Sequence, residues 1–202
     1  MTWVYFITHP EITIEPAVPV TQWNLSPYGR ERMRKVLGQP WMRDIGSVWC
    51  SDERKAIEAA WIIGDAVGIA PRQSRGLGEN DRSATGYLPK AEFEATADAF
   101  FSHPNRSVRG WETAADAQAR IVAAVSTVLK QTAEDRDIAV ISHGGVGTLL
   151  LCQLKSRPIN RSEDQPGGGG GNYFSFALPA RSLCHGWQPI DEIARARDSS
   201  RA

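Results

Sequence analysis

The sequence has no net charge and no long apolar run, and each absence excludes a class of protein. Its 202 residues include 23 Lys and Arg and 23 Asp and Glu, so the formal net charge is zero. Proteins that bind mainly nucleic acid or anionic membranes carry an excess of positive charge, so we expect neither partner here. The apolar stretch around residues 149–151 is far too short to span a bilayer.

Cysteine is also scarce. Cys50, Cys152 and Cys184 form no Cys-x-x-Cys pair, and their odd number supports neither a disulfide framework nor a zinc ribbon. Residues 1–7 have no basic segment ahead of their short apolar run, so they do not match a secretory signal. We therefore expect a cytoplasmic protein in a reducing compartment, with no metal and no other cofactor.

Short buried strands alternate with amphipathic helices along the chain. Apolar and β-branched runs predict strands at residues 3–7, 47–50, 137–142 and 173–177. Helical spacing and capping residues predict helices at residues 26–37, 52–67, 90–101, 113–132 and 146–154. Residues 71–89 and the five glycines at 167–171 are predicted to be irregular. This alternation predicts an α/β fold with a mostly parallel sheet.

Reactive or basic side chains follow three of the predicted strands. His9 follows the first strand, Lys55 comes shortly after the second, and His143 follows the strand at 137–142. In an open α/β sheet, ligands bind beyond the carboxyl ends of the strands, so these groups should face one crevice. Two imidazoles, an ammonium group and the amides of helix N-termini would suit a phosphate dianion. The residues alone predict an anion site with two histidines.

Several blocks of the sequence resemble the histidine phosphatase superfamily, which includes the cofactor-dependent phosphoglycerate mutases. Thr8-His9-Pro10-Glu11 resembles the family's Arg-His-Gly-Glu, and residues 23–29 resemble its Leu-Thr-x-x-Gly. Residues 51–60 resemble Ser-x-Leu-x-Arg-Ala-x-Gln-Thr-Ala, and residues 140–146 resemble Val-Ser-His-Gly-Gly. Residues 110–112 occupy the place of the family's Gly-Gly-Glu-Ser. The resemblance covers roughly residues 3–178. It implies a three-layer α/β/α sandwich, with one domain over residues 1–193 and a disordered tail at residues 194–202.

The resemblance also implies a phosphatase that works through a phosphohistidine. His9 would be the nucleophile, and His143 would donate to the non-bridging phosphate oxygens. Glu79 would protonate the leaving oxygen and later activate water, with Asp81 as the alternative proton donor. Gly144, in the block at residues 140–146, is assigned to substrate binding.

Two departures from the family pattern affect the expected activity. Thr8 and Lys55 stand where the family has arginines that bind phosphate in a bidentate manner. The loss of charge-assisted hydrogen bonds predicts hydrolysis of generic esters that is slower by roughly one to several powers of ten. Arg54 or Arg82 would restore the lost charge by folding into the pocket. Trp23 is the tryptophan expected to line a substrate pocket.

Other functions remain open at this point. The site could have lost catalysis and serve as a phospho-ligand or protein-binding module, in which Thr8 and Lys55 mark the degenerate position. A phosphoglycerate mutase-like phosphotransferase is a further alternative. The substrate could be a phosphorylated small molecule or a phosphoprotein, and the sequence leaves the oligomeric state open.

Overall fold

One six-stranded sheet forms the centre of the computed structural model, which describes residues 1–132, 135–167 and 169–193. Its strands are β1 (Trp3–Thr8), β2 (Ile45–Cys50), β3 (Arg72–Gln73), β4 (Asp137–Ser142), β5 (Asn172–Ala177) and β6 (Ser182–Pro189). The helices of the described part are α1 (Pro27–Arg34), α2 (Arg54–Val67), α3 (Lys90–Ser102), α4 (Ala114–Lys130) and α5 (Gly144–Leu154). The predicted tail at residues 194–202 lies outside the described residues.

The strands are arranged in the order β3-β2-β4-β1-β5-β6. The first four of these pair in parallel. Strand β5 pairs antiparallel with β1, and β6 pairs antiparallel with β5. The predicted, mostly parallel sheet is therefore confirmed. The sequence patterns do not predict β6, because this edge strand contains Gly186 and is only partly buried, so it lacks a clear apolar alternation.

Successive residues of β1 point to opposite faces of the sheet and define two core layers. Tyr5 and Ile7 pack with residues of α1 and α2. Val4 and Phe6 pack on the other face with residues of α4 and α5. Helices thus cover both faces, and the three-layer α/β/α fold is confirmed. Helix α3 lies beside these layers and packs, in a smaller hydrophobic cluster, against the first turns of α4 and the middle of α5.

Side-chain caps start α1 and α4, whereas α2, α3 and α5 begin without a side-chain cap hydrogen bond. The hydroxyl of Ser26 accepts a hydrogen bond from the amide of Gly29 at 2.9 Å, and Pro27 occupies the first turn of α1. The hydroxyl of Ser51 accepts from the amide of Glu53 at 3.1 Å, before α2 begins, so Ser51 does not cap that helix. No helix in the described ranges is long and apolar enough to cross a membrane.

Candidate active site

The register of the sheet brings the two predicted histidines together. Thr8, the last residue of β1, pairs with Ser142, the last residue of β4, and a histidine follows each of them in the chain. The amide of His9 donates to the carbonyl of Ser142 at 3.1 Å. The imidazole rings of His9 and His143 lie edge to face, with their centroids 5.1 Å apart.

One ring nitrogen of His9 is held by the backbone. Its Nδ1 lies 2.8 Å from the carbonyl oxygen of Pro10, and a carbonyl only accepts, so Nδ1 carries the proton. The lone pair is therefore on Nε2. Burial of the ring, assisted by the nearby charge of Lys55, lowers the pKa of His9 to about 4. His9 is therefore a neutral imidazole with a free lone pair at physiological pH.

His143 lies behind His9, and its side chain is only 1% exposed. Its Nε2 lies 3.3 Å from Oε1 of Glu53, without an aligned hydrogen bond in the described part of the chain. Burial holds the pKa of His143 well below its usual value, so this ring is neutral as well. A buried nitrogen without an aligned partner is available to a ligand oxygen.

Glu53 is a site residue that the sequence analysis missed. Its Oε2 lies 2.5 Å from Nζ of Lys55, and its Oε1 accepts from the amide of Glu79 at 2.8 Å. Burial would raise the pKa of Glu53, but His143 and Lys55 outweigh burial, and the pKa falls to about 2. The sequence does contain a sign of this role, because Glu53 occupies the position at which the family pattern has leucine.

Lys55 is consequently less available than the sequence suggested. Its Nζ donates to Glu53 and, at 2.8 Å, to the carbonyl of Val20. Burial lowers the pKa of Lys55 despite this carboxylate. Lys55 does not reach the wall of the cavity into which His9 opens. The structure therefore places this ammonium group behind the site, in a buried ion pair.

The two arginines proposed to replace the lost charge lie in different places. Arg82 lines the cavity with His9, and its guanidinium carbon lies 5.0 Å from the ring centroid of Phe93. No carboxylate of the described residues lies within ion-pair distance of it. Arg54 instead points away from the cavity and pairs with Glu58 at 3.3 Å. Arg54 is therefore not brought to the site.

The hydroxyl of Thr8 makes internal hydrogen bonds. It accepts from the amide of Asn172 at 3.0 Å and donates to Oε1 of Gln165 at 2.8 Å. The side-chain amide of Asn172 donates to the same oxygen at 3.1 Å. These two donors fix the orientation of the Gln165 amide, whose Nε2 has no partner among the residues described. Gln165 lines the cavity, as does Gly144 beside it.

Glu79 and Asp81 differ clearly in position. The carboxylate of Glu79 accepts from the amides of Gly145 at 3.1 Å and Val146 at 2.9 Å, at the start of α5, and it lines the cavity. Asp81 is exposed and accepts from the amide of Ser83 at 2.9 Å. That hydrogen bond lowers the pKa of Asp81. Only Glu79 of this pair faces the cavity.

The cavity beyond His9 has a volume of about 760 Å³ and extends from His9 towards α3. Trp23 lines it, as the sequence analysis predicted. The imidazole of His9, Glu79, Gly144 and Gln165 thus surround one end of a cavity much larger than a phosphate group. His143 contacts the ring of His9 but does not line the cavity wall.

Comparison with solved structures identifies the same fold in several proteins, two of which are named as phosphatases. YhfR of Bacillus stearothermophilus is 18% identical with a TM-score of 0.76, covering 96% of this chain and 98% of that chain. Mycobacterial glucosyl-3-phosphoglycerate phosphatase with inorganic phosphate is 19% identical with a TM-score of 0.73, covering 95% and 100%. The α-ribazole phosphatase of Shigella flexneri is 13% identical with a TM-score of 0.73, covering 96% and 99%. These low identities establish the fold alone.

A model of the histidine phosphatase superfamily (branch 1) matches residues 6–168. The chain belongs to this superfamily, as its sequence blocks indicated. A search among curated proteins finds no match.

Proposed function

We propose that the protein hydrolyses phosphate monoesters through a phosphohistidine at Nε2 of His9. The observation that carries this proposal is the hydrogen bond from Nδ1 of His9 to the carbonyl of Pro10, which leaves the nucleophilic lone pair on Nε2 of a residue that lines the cavity. Membership of the superfamily supports phosphatase activity in general.

In the first step, Nε2 of His9 attacks phosphorus in line, a nitrogen–phosphorus bond forms, and the ester oxygen–phosphorus bond breaks. Glu79 is the carboxyl group placed to pass a proton to the leaving oxygen, which leaves it as the carboxylate. In the second step, water attacks phosphorus and its proton passes to Glu79. The nitrogen–phosphorus bond then breaks, which restores the lone pair of His9 and releases inorganic phosphate.

Three groups would hold the non-bridging oxygens in place of the arginine pair. Arg82 supplies a cation without a carboxylate partner, His143 supplies a buried ring nitrogen, and Gln165 supplies an oriented N–H donor. Lys55 contributes little net charge because Glu53 neutralises it. We therefore expect weak binding of small, generic phosphate esters, and a substrate that gains affinity elsewhere in the cavity.

A panel of phosphate esters tests this function. The His9→Ala variant should lose at least about 1,000-fold in kcat/KM, because a residue that forms the covalent intermediate cannot be bypassed efficiently. His103→Ala is the matched control, since His103 is exposed at the end of α3. Its activity should equal that of the parent protein. Equal activity of the His9→Ala variant, with an unchanged circular dichroism spectrum, would contradict the mechanism.

A binding module is the second candidate, and the Glu53–Lys55 pair favours it. A buried carboxylate beside the phosphate site reduces the electrostatic stabilisation that the transferring phosphoryl group needs, so it disfavours catalysis. Under this alternative, calorimetry would detect binding of inorganic phosphate, whereas every ester of the panel would remain intact. Measurable turnover that depends on His9 would exclude it.

A further inference from the structure

We infer that the cavity contains, next to the phosphate site, a separate subsite for an aromatic ring of the substrate alcohol. This inference rests on the proposed function, and it names the substrate class as phosphate monoesters of bulky aromatic alcohols. Below, the aromatic subsite means Trp23, Tyr87, Phe93, Phe100, Phe101 and Trp111, all of which line the cavity.

These rings form two groups on the wall of the cavity, Trp23 with Tyr87 and Phe93 with Trp111, Phe100 and Phe101. The ring centroids of Trp23 and Tyr87 are 5.8 Å apart, and those of Phe93 and Trp111 are 5.9 Å apart. Phe100 continues the wall, 6.1 Å from Trp111. Such spacings are typical of aromatic pairs in protein cores. Here the same arrangement borders an open space that an aromatic ligand could fill.

The indole nitrogens of this wall are already used within the protein. The indole nitrogen of Trp23 donates to the carbonyls of Glu15 and Val18, each at 2.9 Å. The indole nitrogen of Trp111 donates to the hydroxyl of Thr85 at 2.9 Å. The two indoles are nearly buried and offer no free donor, so the accessible carbon surface of the wall comes mainly from Tyr87 and Phe93. A polyhydroxylated alcohol would lose its bonds to water without replacement against these rings.

The boundary between the two subsites carries polar groups that suit an ester. Arg82 stacks over Phe93 and reaches into the same cavity. Asn80 is 7% exposed, and its Nδ2 is a buried donor with no partner among the described residues. An unpaired buried donor at a cavity wall indicates that a ligand atom completes it. We therefore place the ester linkage near Asn80 and the ring beyond it.

The size of the cavity agrees with this division. Its volume of about 760 Å³ is within the range that binds drug-sized ligands, typically about 300–1,000 Å³. A phosphate group fills only a small part of such a space. The remainder accommodates a bicyclic ring system, which would bury its surface against the aromatic subsite.

The test compares 2-(2-naphthyl)ethyl phosphate with ethyl phosphate. Both release a primary alcohol, so their leaving groups have similar reactivity, and the ratio of their kcat/KM values reports the ring alone. We expect this ratio to be on the order of 100, from burial of naphthyl surface at about 25 cal/mol per Å² with much of the gain lost to ordering. A ratio near 1 with His9-dependent hydrolysis overturns the subsite and leaves the proposed function intact. Hydrolysis of neither ester contradicts both.

Variants locate the effect. Phe93→Ala and Tyr87→Ala should each lower the ratio by about threefold to tenfold, because each removes one wall of the subsite. Trp61→Ala is the control, since Trp61 is a 44% exposed aromatic residue of α2 outside the cavity. Its ratio should stay within about twofold of the parent. A ratio that is equally insensitive to Phe93→Ala and Tyr87→Ala would overturn the assignment.

Discussion

The hydroxyl of Thr8 donates to Oε1 of Gln165 at 2.8 Å, which ties the end of β1 to a loop residue 157 positions later. Arginine occupies the position of Thr8 in the family pattern. Here a short hydroxyl orients an amide that approaches the cavity from another element. We therefore assign Thr8 a positioning role and Gln165 the contact with phosphate.

Removal of the Thr8 hydroxyl tests this relationship. Thr8→Val should reduce kcat/KM for a phosphate ester by roughly threefold to tenfold, the value of about one hydrogen bond. The double variant with Gln165→Ala should lose little more than Gln165→Ala alone, because Thr8 acts through Gln165. Thr96→Val is the control, a buried threonine whose hydroxyl bonds within α3. Additive losses for Thr8 and Gln165 would show that the two residues act separately.

Restoring the family's arginine at position 8 tests whether the site merely lacks charge. The side chain of Thr8 is buried, and Gln165 and Asn172 occupy its surroundings. Thr8→Arg should therefore lower both kcat/KM and the melting temperature, because the larger side chain displaces these partners. Steady-state kinetics and thermal unfolding provide the readout. Increased activity would mean that the added positive charge improves catalysis more than the disturbed packing around position 8 impairs it.

Neutralising Glu53 should strengthen phosphate binding. Glu53→Gln retains the size of the side chain but removes the negative charge that pairs with Lys55. We expect the Kd for inorganic phosphate, measured by calorimetry, to fall by about threefold to tenfold. Glu31→Gln, an exposed change on α1, controls for net charge. An unchanged or larger Kd would show that Glu53 supports the site chiefly through its contacts with His143 and the amide of Glu79.

The protonation of His9 provides a test that needs no substrate. Burial lowers the pKa of His9 to about 4, against an unperturbed value of 6.5. Because the folded pKa lies below the unfolded one, neutral His9 stabilises the fold above pH 6.5. That contribution decreases as the pH falls towards 4. Proton NMR of the histidine rings, assigned with His9→Gln, should show His9 still neutral at pH 6. A midpoint at or above 6.5 would contradict the buried, neutral nucleophile.

The sequence predicted the sheet and most helices because their signals are local. The strand at residues 137–142 and the helix predicted from about residue 113 depend on neighbouring residues, and both are confirmed. The edge strand β6 depends on pairing with β5, which leaves little trace in its own residues. Local propensity is a weak guide for such edge strands.

In the candidate site as well, residues within local motifs were predicted and residues that depend on distant contacts were not. His9, Glu79 and Gly144 were located by motif, and each lines the cavity. Gln165 and Glu53 were missed because their relevance depends on contacts with residues distant in the chain or turned towards the core. Arg54 and Arg82 were indistinguishable in sequence, because only tertiary packing determines which guanidinium faces the cavity.

Trapping the covalent intermediate tests the central claim most directly. The protein is mixed rapidly with 2-(2-naphthyl)ethyl phosphate, quenched in alkali, digested, and analysed by mass spectrometry. The account predicts one added phosphoryl group on the peptide that contains His9, stable in alkali, lost in acid, and absent from the His9→Ala variant. Turnover of the ester with no phosphorylated His9, or with the label on another residue, would contradict it.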